Sequence, residues 1–223
     1  MAKLDVFIIK YANELKQQEI PCFRGAVIRA VDNDDVLFHN HVGENFRYSY
    51  PLVQYKRIKG KAAIVCLCEG CETIGRLLAK RNVLMYVGDR RETLALDNAN
   101  AETILVQEWD SLFDYSIRKY LPLNKTNYEL YSKADGLVEK YSILEKCLIG
   151  NILSFGKGIG VHFEKEIHLK IIELSDTRLY RYKNVELMGF DLRFKCNVSL
   201  PSFIGLGKNV SIGYGTVVKI NKK

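Results

Sequence analysis

The chain has 223 residues, 48% of them hydrophobic with only 4 prolines, which excludes a disordered protein and leaves room for two domains of about 100 residues each. Its formal net charge of +7 is lopsided: residues 1–110 carry 15 basic and 15 acidic side chains, whereas residues 111–223 carry 18 and 11. No apolar run approaches the roughly 18 residues that span a bilayer, and Asp5 falls before any signal core could form, so the expectation is a cytoplasmic protein with no membrane partner.

Leu4 to Lys10 is rich in β-formers, and the stretch from Pro21 to Val31 has proline at a first helical turn with apolar residues at helical spacing. Pro51 to Ile58 and Lys61 to Leu67 flank Lys59-Gly60, a hairpin signal. Glu69 to Arg81 reads as a helix with Ile74, Leu77 and Leu78 on one face, and Ala101 to Trp109 as a strand. The order βαββαβ predicts a ferredoxin-like domain over 1–110. From Leu112 a second unit begins: a strand to Tyr120, a long amphipathic helix over 134–153, strands over 167–173, 179–188 and 191–198, and a closing strand over 216–220. The fold class expected is α+β, two tandem ferredoxin-like βαββαβ domains over 1–110 and 111–223.

Before the closing strand lies Gly205-Leu-Gly207-Lys-Asn-Val-Ser-Ile-Gly213-Tyr-Gly215. Glycine tolerates positive φ and close backbone approach, so such a segment suits a cradle of N–H groups for anionic oxygens; a glycine-rich hairpin turn is the alternative. Lys208 adds a cation and Tyr214 a ring able to stack on a base. After Asp191 no acid occurs, while Arg193, Lys195, Lys208, Lys219, Lys222 and Lys223 follow, which points to a polyanionic partner. Gly156-Lys-Gly-Ile-Gly160 lacks P-loop spacing and follows a helix, so it reads as a helix stop. Cys66, Cys68 and Cys71 lack a second ligand pair for zinc, and Cys66 and Cys68 fit inward strand positions as buried free thiols. No metal and no cofactor are expected.

Two of the 4 histidines fall in Phe38-His39-Asn40-His41. In an extended segment residues two apart project to the same side, and imidazoles titrating near neutral pH suit proton transfer. Such a pair serves metal-free RNA cleavage, in which a base deprotonates a ribose 2′-OH and an acid protonates the departing 5′-oxygen. Tyr48 and Tyr50 follow closely, and Arg29, Lys56 and Arg57 are candidates for stabilising charge that grows on the phosphorane. A His-x-His metal site and a purely structural pair are the other readings of these residues; His162 and His168 read as structural.

Together these residues resemble a known family, the CRISPR-associated endonucleases of the Cas six family that cut precursor CRISPR RNA within each repeat, and most closely its b-type branch. The resemblance rests on Phe38-His-Asn-His41, Tyr50-Pro-Leu-Val-Gln-Tyr-Lys56 and Glu69-Gly70, and on the terminal glycine segment, which is similar to that of the wider repeat-associated (RAMP) superfamily. It implies metal-independent cleavage that leaves 2′,3′-cyclic phosphate and 5′-hydroxyl ends, with His39, His41 and Tyr48 as the catalytic residues. The helix before the histidines offers Arg24 and Arg29 where the family has a catalytic lysine; an always-charged guanidinium is no base, so either Arg29 is a phosphate clamp or the lysine's role stays empty. Gly205, Gly207, Lys208, Gly213, Tyr214 and Gly215 carry over as contacts to CRISPR repeat RNA. A non-catalytic RAMP-type subunit of a CRISPR effector complex is the alternative, and a homodimer is left open.

Overall fold

The computed structural model describes residues 2–31, 41, 42, 45, 46, 50–80, 83–87, 90–182 and 185–220. They fall into a first unit, Lys3–Ile104 joined by Ser211–Gly213, and a second built from Leu105–Val210 and the residues from Tyr214 onward.

The first unit opens with strand β1 (Ala2–Glu14) and helix α1 (Ile20–Ala30), which has Pro21 in its first turn. A two-residue ribbon, β2 (His41–Val42) with β3 (Asn45–Phe46), precedes β4 (Val53–Ile58) and β5 (Lys61–Leu67). Lys59 and Gly60 turn this hairpin at φ of 49° and 88°, the positive-φ pair that matches the strands' right-handed twist. Then come the short helices α2 (Glu69–Thr73) and α3 (Gly75–Ala79), the hairpin β6 (Leu84–Val87) and β7 (Arg90–Thr93), and β8 (Leu96–Val106). The sheet order is β4-β5-β1-β8: the first and third strands of the βαββαβ unit lie in the middle.

Register places Phe7 and Ile9 of β1, Cys66 and Ile64 of β5, and Val53 and Tyr55 of β4 on one face. Helix α1 buries Ile20, Phe23, Ala26 and Val27. The Phe23 ring stands edge-on to Tyr11 at 5.8 Å and to Tyr55 at 5.7 Å, centroid to centroid. Truncating such a ring costs roughly 3–5 kcal/mol.

The second unit repeats the order with other proportions. Its elements are β9 (Glu108–Tyr120), α4 (Lys125–Lys133), α5 (Leu137–Gly158), β10 (Leu169–Tyr182), β11 (Val185–Val198) and β12 (Thr216–Lys219), with sheet order β10-β11-β9-β12. Helix α5 presents Leu144, Leu148, Ile152 and Phe155 to the core at helical spacing. Tyr120 of β9 donates from its hydroxyl to Asn151 Oδ1 at 2.7 Å. In place of a second helix, the chain between β11 and β12 holds only a 3-10 turn at Val210–Ile212. Both units are ferredoxin-like, and the fold is the α+β tandem expected. Among the described residues no helix is long and apolar enough to cross a membrane.

Several elements differ from the sequence expectation, among them the hairpin β6–β7 and the strand expected over 101–109, which is divided between β8 and β9. The helix over 69–81 is broken at Ile74, where Gly75 restarts it, since a glycine inside so short a helix weakens it. The strand expected over 179–188 is instead the distal half of a hairpin, in which Tyr182 pairs with Val185. Helix α4 was not anticipated; Asn124 caps it by accepting from Asn127 N–H at 2.7 Å.

Candidate functional site

The catalytic candidates His39 and Tyr48 lie outside the described residues. His41 opens the extended β2, where its backbone pairs with Phe46. Arg29 sits exposed in the last turn of α1. Its guanidinium folds back along the helix, with Nη1 3.4 Å from where a Cβ on Gly25 would stand. A cation at a helix C-terminus is favoured by the helix dipole, and this one remains open to a phosphate.

Lys56 departs from the phosphate-binding role expected of it. Alternation along β4 puts Lys56 with Gln54 and Ile58 on the face opposite Tyr55, and the structure buries it completely at 0% exposure. A side chain so placed makes no surface contact with RNA. Burial pushes its ammonium pKa down to about 7, because low dielectric disfavours the charged form. Arg57, on the exposed position of β4, donates from its Nε to the Leu15 carbonyl just past the end of β1.

The glycine segment is packed more closely than an open cradle. The Leu206, Lys208, Tyr214 and Gly215 amides donate to the carbonyls of Gly215, Leu121, Asn209 and Lys119 at 2.9, 3.0, 3.4 and 3.0 Å. Gly207 and Gly215 hold φ of 91° and 60°. A Cβ on Gly215 would sit 1.8 Å from the Leu206 oxygen, and one on Gly207 2.9 Å from the Leu121 oxygen and 3.0 Å from the Tyr120 ring. Gly205 forms a bridge with Thr216 at the start of β12. Gly213, at φ of 87°, belongs to the first unit, where a Cβ would meet Ile20 at 2.6 Å and Gln17 Nε2 at 3.3 Å. These glycines thus provide close approach of main chain to main chain. Lys208 reaches the Leu123 carbonyl with its ammonium at 2.7 Å, which leaves two of its three N–H donors for other acceptors.

The histidines outside the motif, His162 and His168, are both exposed. Gly156 and Gly158 lie in the last turn of α5, and Gly160 follows it at φ of 72°, a glycine stop for the helix. Cys66 is buried in β5, as expected, but Cys68 has left the strand at φ of 50° and is only half-buried. Burial first, then the neighbouring Cys68 and Asp5, holds the Cys71 thiol up at about 11, which keeps it protonated and unreactive.

Two ferredoxin-like units in tandem, the second closed by a glycine-rich segment where a helix would stand, define the class of protein. Family models identify it further: the Cas6b N-terminal domain matches residues 2–104 and the Cas6b C-terminal domain residues 107–220. The chain belongs to the Cas6b family. A crystal structure of Cas6b superposes with a TM-score of 0.90 at 27% identity, covering 98% of this chain and 100% of that one. A crystal structure of CRISPR RNA processing endoribonuclease Cas6b matches with a TM-score of 0.75 at 25% identity and the same coverage. An uncharacterized protein of Methanocaldococcus jannaschii is 33% identical over 106 residues, 48% of this chain and 71% of that protein.

Proposed function

We propose that the protein is a CRISPR RNA processing endoribonuclease that cuts precursor CRISPR RNA within its repeats, without a metal ion. One of His39 and His41 takes the proton from the 2′-OH on the 5′ side of the cut. The freed oxygen attacks the adjacent phosphorus in line, and the bond from phosphorus to the 5′-oxygen breaks. The other imidazole protonates that leaving oxygen. The products are a 2′,3′-cyclic phosphate and a 5′-hydroxyl. Tyr48 orients the reacting groups, and Arg29 meets the charge that develops on the non-bridging oxygens.

The observation that carries this reading is the whole-chain likeness to a solved CRISPR RNA processing endoribonuclease Cas6b, which extends over 98% of the residues. The paired imidazoles support the chemistry, because their ordinary pKa lets one accept and the other donate a proton at neutral pH. Mass spectrometry of the products formed from the host's own repeat RNA tests the reading. A 5′ fragment ending in a cyclic phosphate and a 3′ fragment beginning with a hydroxyl support it. Intact RNA bound to protein would point instead to a non-catalytic RNA-binding subunit.

A further inference from the structure

Beyond Phe190, the last residue of β11 to pair with β9, β10 and β11 continue as a two-stranded ribbon from Arg178 opposite Gly189 to Tyr182 opposite Val185. Gly189 lies buried in this ribbon directly opposite Arg178, two residues from Tyr180 on the facing strand. A Cβ at Gly189 would stand 2.6 Å from both Cδ2 and Cε2 of Tyr180 and 2.9 Å from Leu121 Cδ2. The glycine therefore clears the space that the Cδ2–Cε2 edge of the Tyr180 ring occupies. Against that ring stands Tyr214 of the glycine segment, 5.7 Å between centroids and at 87°. Both rings are half-buried. Two aromatic surfaces at right angles make a corner into which a planar group fits, flat on one ring and edge toward the other.

The charges around the corner say what kind of planar group. Asp176 and Asp191 are directly opposed at the base of the ribbon, an arrangement that is destabilising between like charges. Arg178 pairs with Asp176, and the Lys119 amide donates to Asp191 Oδ1 at 2.6 Å. Burial and then Asp191 raise the Tyr180 phenol, with Arg178 acting in the opposite sense, so the carboxylate is felt at the ring. Two carboxylates repel a phosphate at this spot, yet their free lone pairs suit the N–H edge of a base. We propose that Tyr180, seated on Gly189 and standing edge-on to Tyr214, forms a stacking site for one unpaired base of the bound RNA, with Asp176 and Asp191 as acceptors for its N–H groups. The proposal rests on the RNA-processing reading above and adds to it the specificity-determining residues Tyr180, Gly189, Asp176 and Asp191, so that Tyr214 reads a base while phosphates bind elsewhere.

The test uses the full chain and the host's own repeat RNA, intact and as a set of variants with one abasic nucleotide each. Wild-type protein should lose affinity roughly ten- to a hundredfold for an abasic variant at one unpaired position. Tyr180→Ala should weaken binding to intact RNA by a similar factor and be indifferent to that same abasic change, while Tyr180→Phe, which keeps the ring, should restore most of the loss. Leu179→Ala, next in sequence and pointing to the other face of the ribbon, is the control. Equal affinity of Tyr180→Ala and wild type for intact RNA, or additive losses from the protein and RNA changes, overturns the site while cleavage by wild type keeps the enzyme reading intact. Should Tyr180→Ala not fold, the abasic scan with Tyr214→Ala decides by the same comparison. If wild type neither binds nor cuts the repeat, the underlying reading fails.

Discussion

The two ferredoxin-like units share a strand order and differ in what fills the second crossover. In the first, α2, α3 and the hairpin β6–β7 lie between the third strand and the fourth; in the second, a glycine-rich segment closed by internal main-chain bonds does so. The first is charge-balanced in sequence, while the excess of basic residues sits in the second half. One topology thus supports two kinds of work. Under the proposed function, the first unit holds the histidine segment for chemistry, and the second replaces a helix by tightly packed backbone that brings Lys208 and Tyr214 to the RNA.

The largest effect is expected at the histidines. His39→Ala or His41→Ala should lower single-turnover cleavage roughly 10²-fold or more with RNA affinity nearly unchanged, whereas changes in the glycine segment should act on binding. Wild-type rates in either variant would remove that residue from the mechanism. Next come the glycines. Gly215→Val, at φ of 60° and with a Cβ 1.8 Å from the Leu206 oxygen, should cost roughly 3 kcal/mol or more in denaturant unfolding and weaken RNA binding. Gly75→Ala in the first unit, where a Cβ meets nothing within 4 Å, should be neutral or slightly stabilising. Equal effects at the two positions would erase the contrast between the crossovers.

Lys56 provides a pH test of the first unit. Its folded pKa of about 7 lies below the 10.5 of an ordinary lysine, so between those limits the unfolded chain binds more protons and stability rises with pH. Below about pH 7 the penalty of the buried ammonium is present in full. The stability of wild type relative to Lys56→Met should therefore increase by a few kcal/mol from pH 7 to pH 10, read by urea midpoints across that range; a flat difference would mean the amine titrates normally. The smallest expected effect is at the cap of α4: Asn124→Ala should lower unfolding stability by about 1 kcal/mol, seen as a small fall in Tm with cleavage unchanged.

Much of the fold was legible because the relevant signals were local. Pro21 marks the start of α1, Lys59-Gly60 the tight hairpin, and the spacing of Leu144, Leu148 and Ile152 the long helix. What escaped depended on partners far along the chain. The β-formers of Leu179 to Met188 read as one strand although Lys183-Asn184 interrupts them, whereas Tyr182 pairs with Val185 as parts of two strands. Lys56 follows Tyr55 in a motif that reads as a basic, RNA-facing stretch, yet strand alternation together with burial of both faces of β4 takes its amine inside. The Asn124 cap was readable in principle, since Asn before a helix is a start signal, but without a Glu or Gln three residues on it stood alone. Nor does local sequence signal that Gly189 serves a ring two residues out of register on the neighbouring strand. For the site, the paired histidines and the glycine segment were visible as motifs, while the use of the glycine amides within the protein emerged only from the packing.

Metal-free attack by the RNA's own 2′-OH can be checked by incubating the protein with labelled repeat RNA in excess EDTA, beside the same RNA carrying a single 2′-deoxy nucleotide at the cut. The first should be cleaved at one position within the repeat, and the second should be bound but stay whole. Cleavage that requires an added divalent ion, or cleavage of the deoxy-substituted RNA at the same bond, would contradict it.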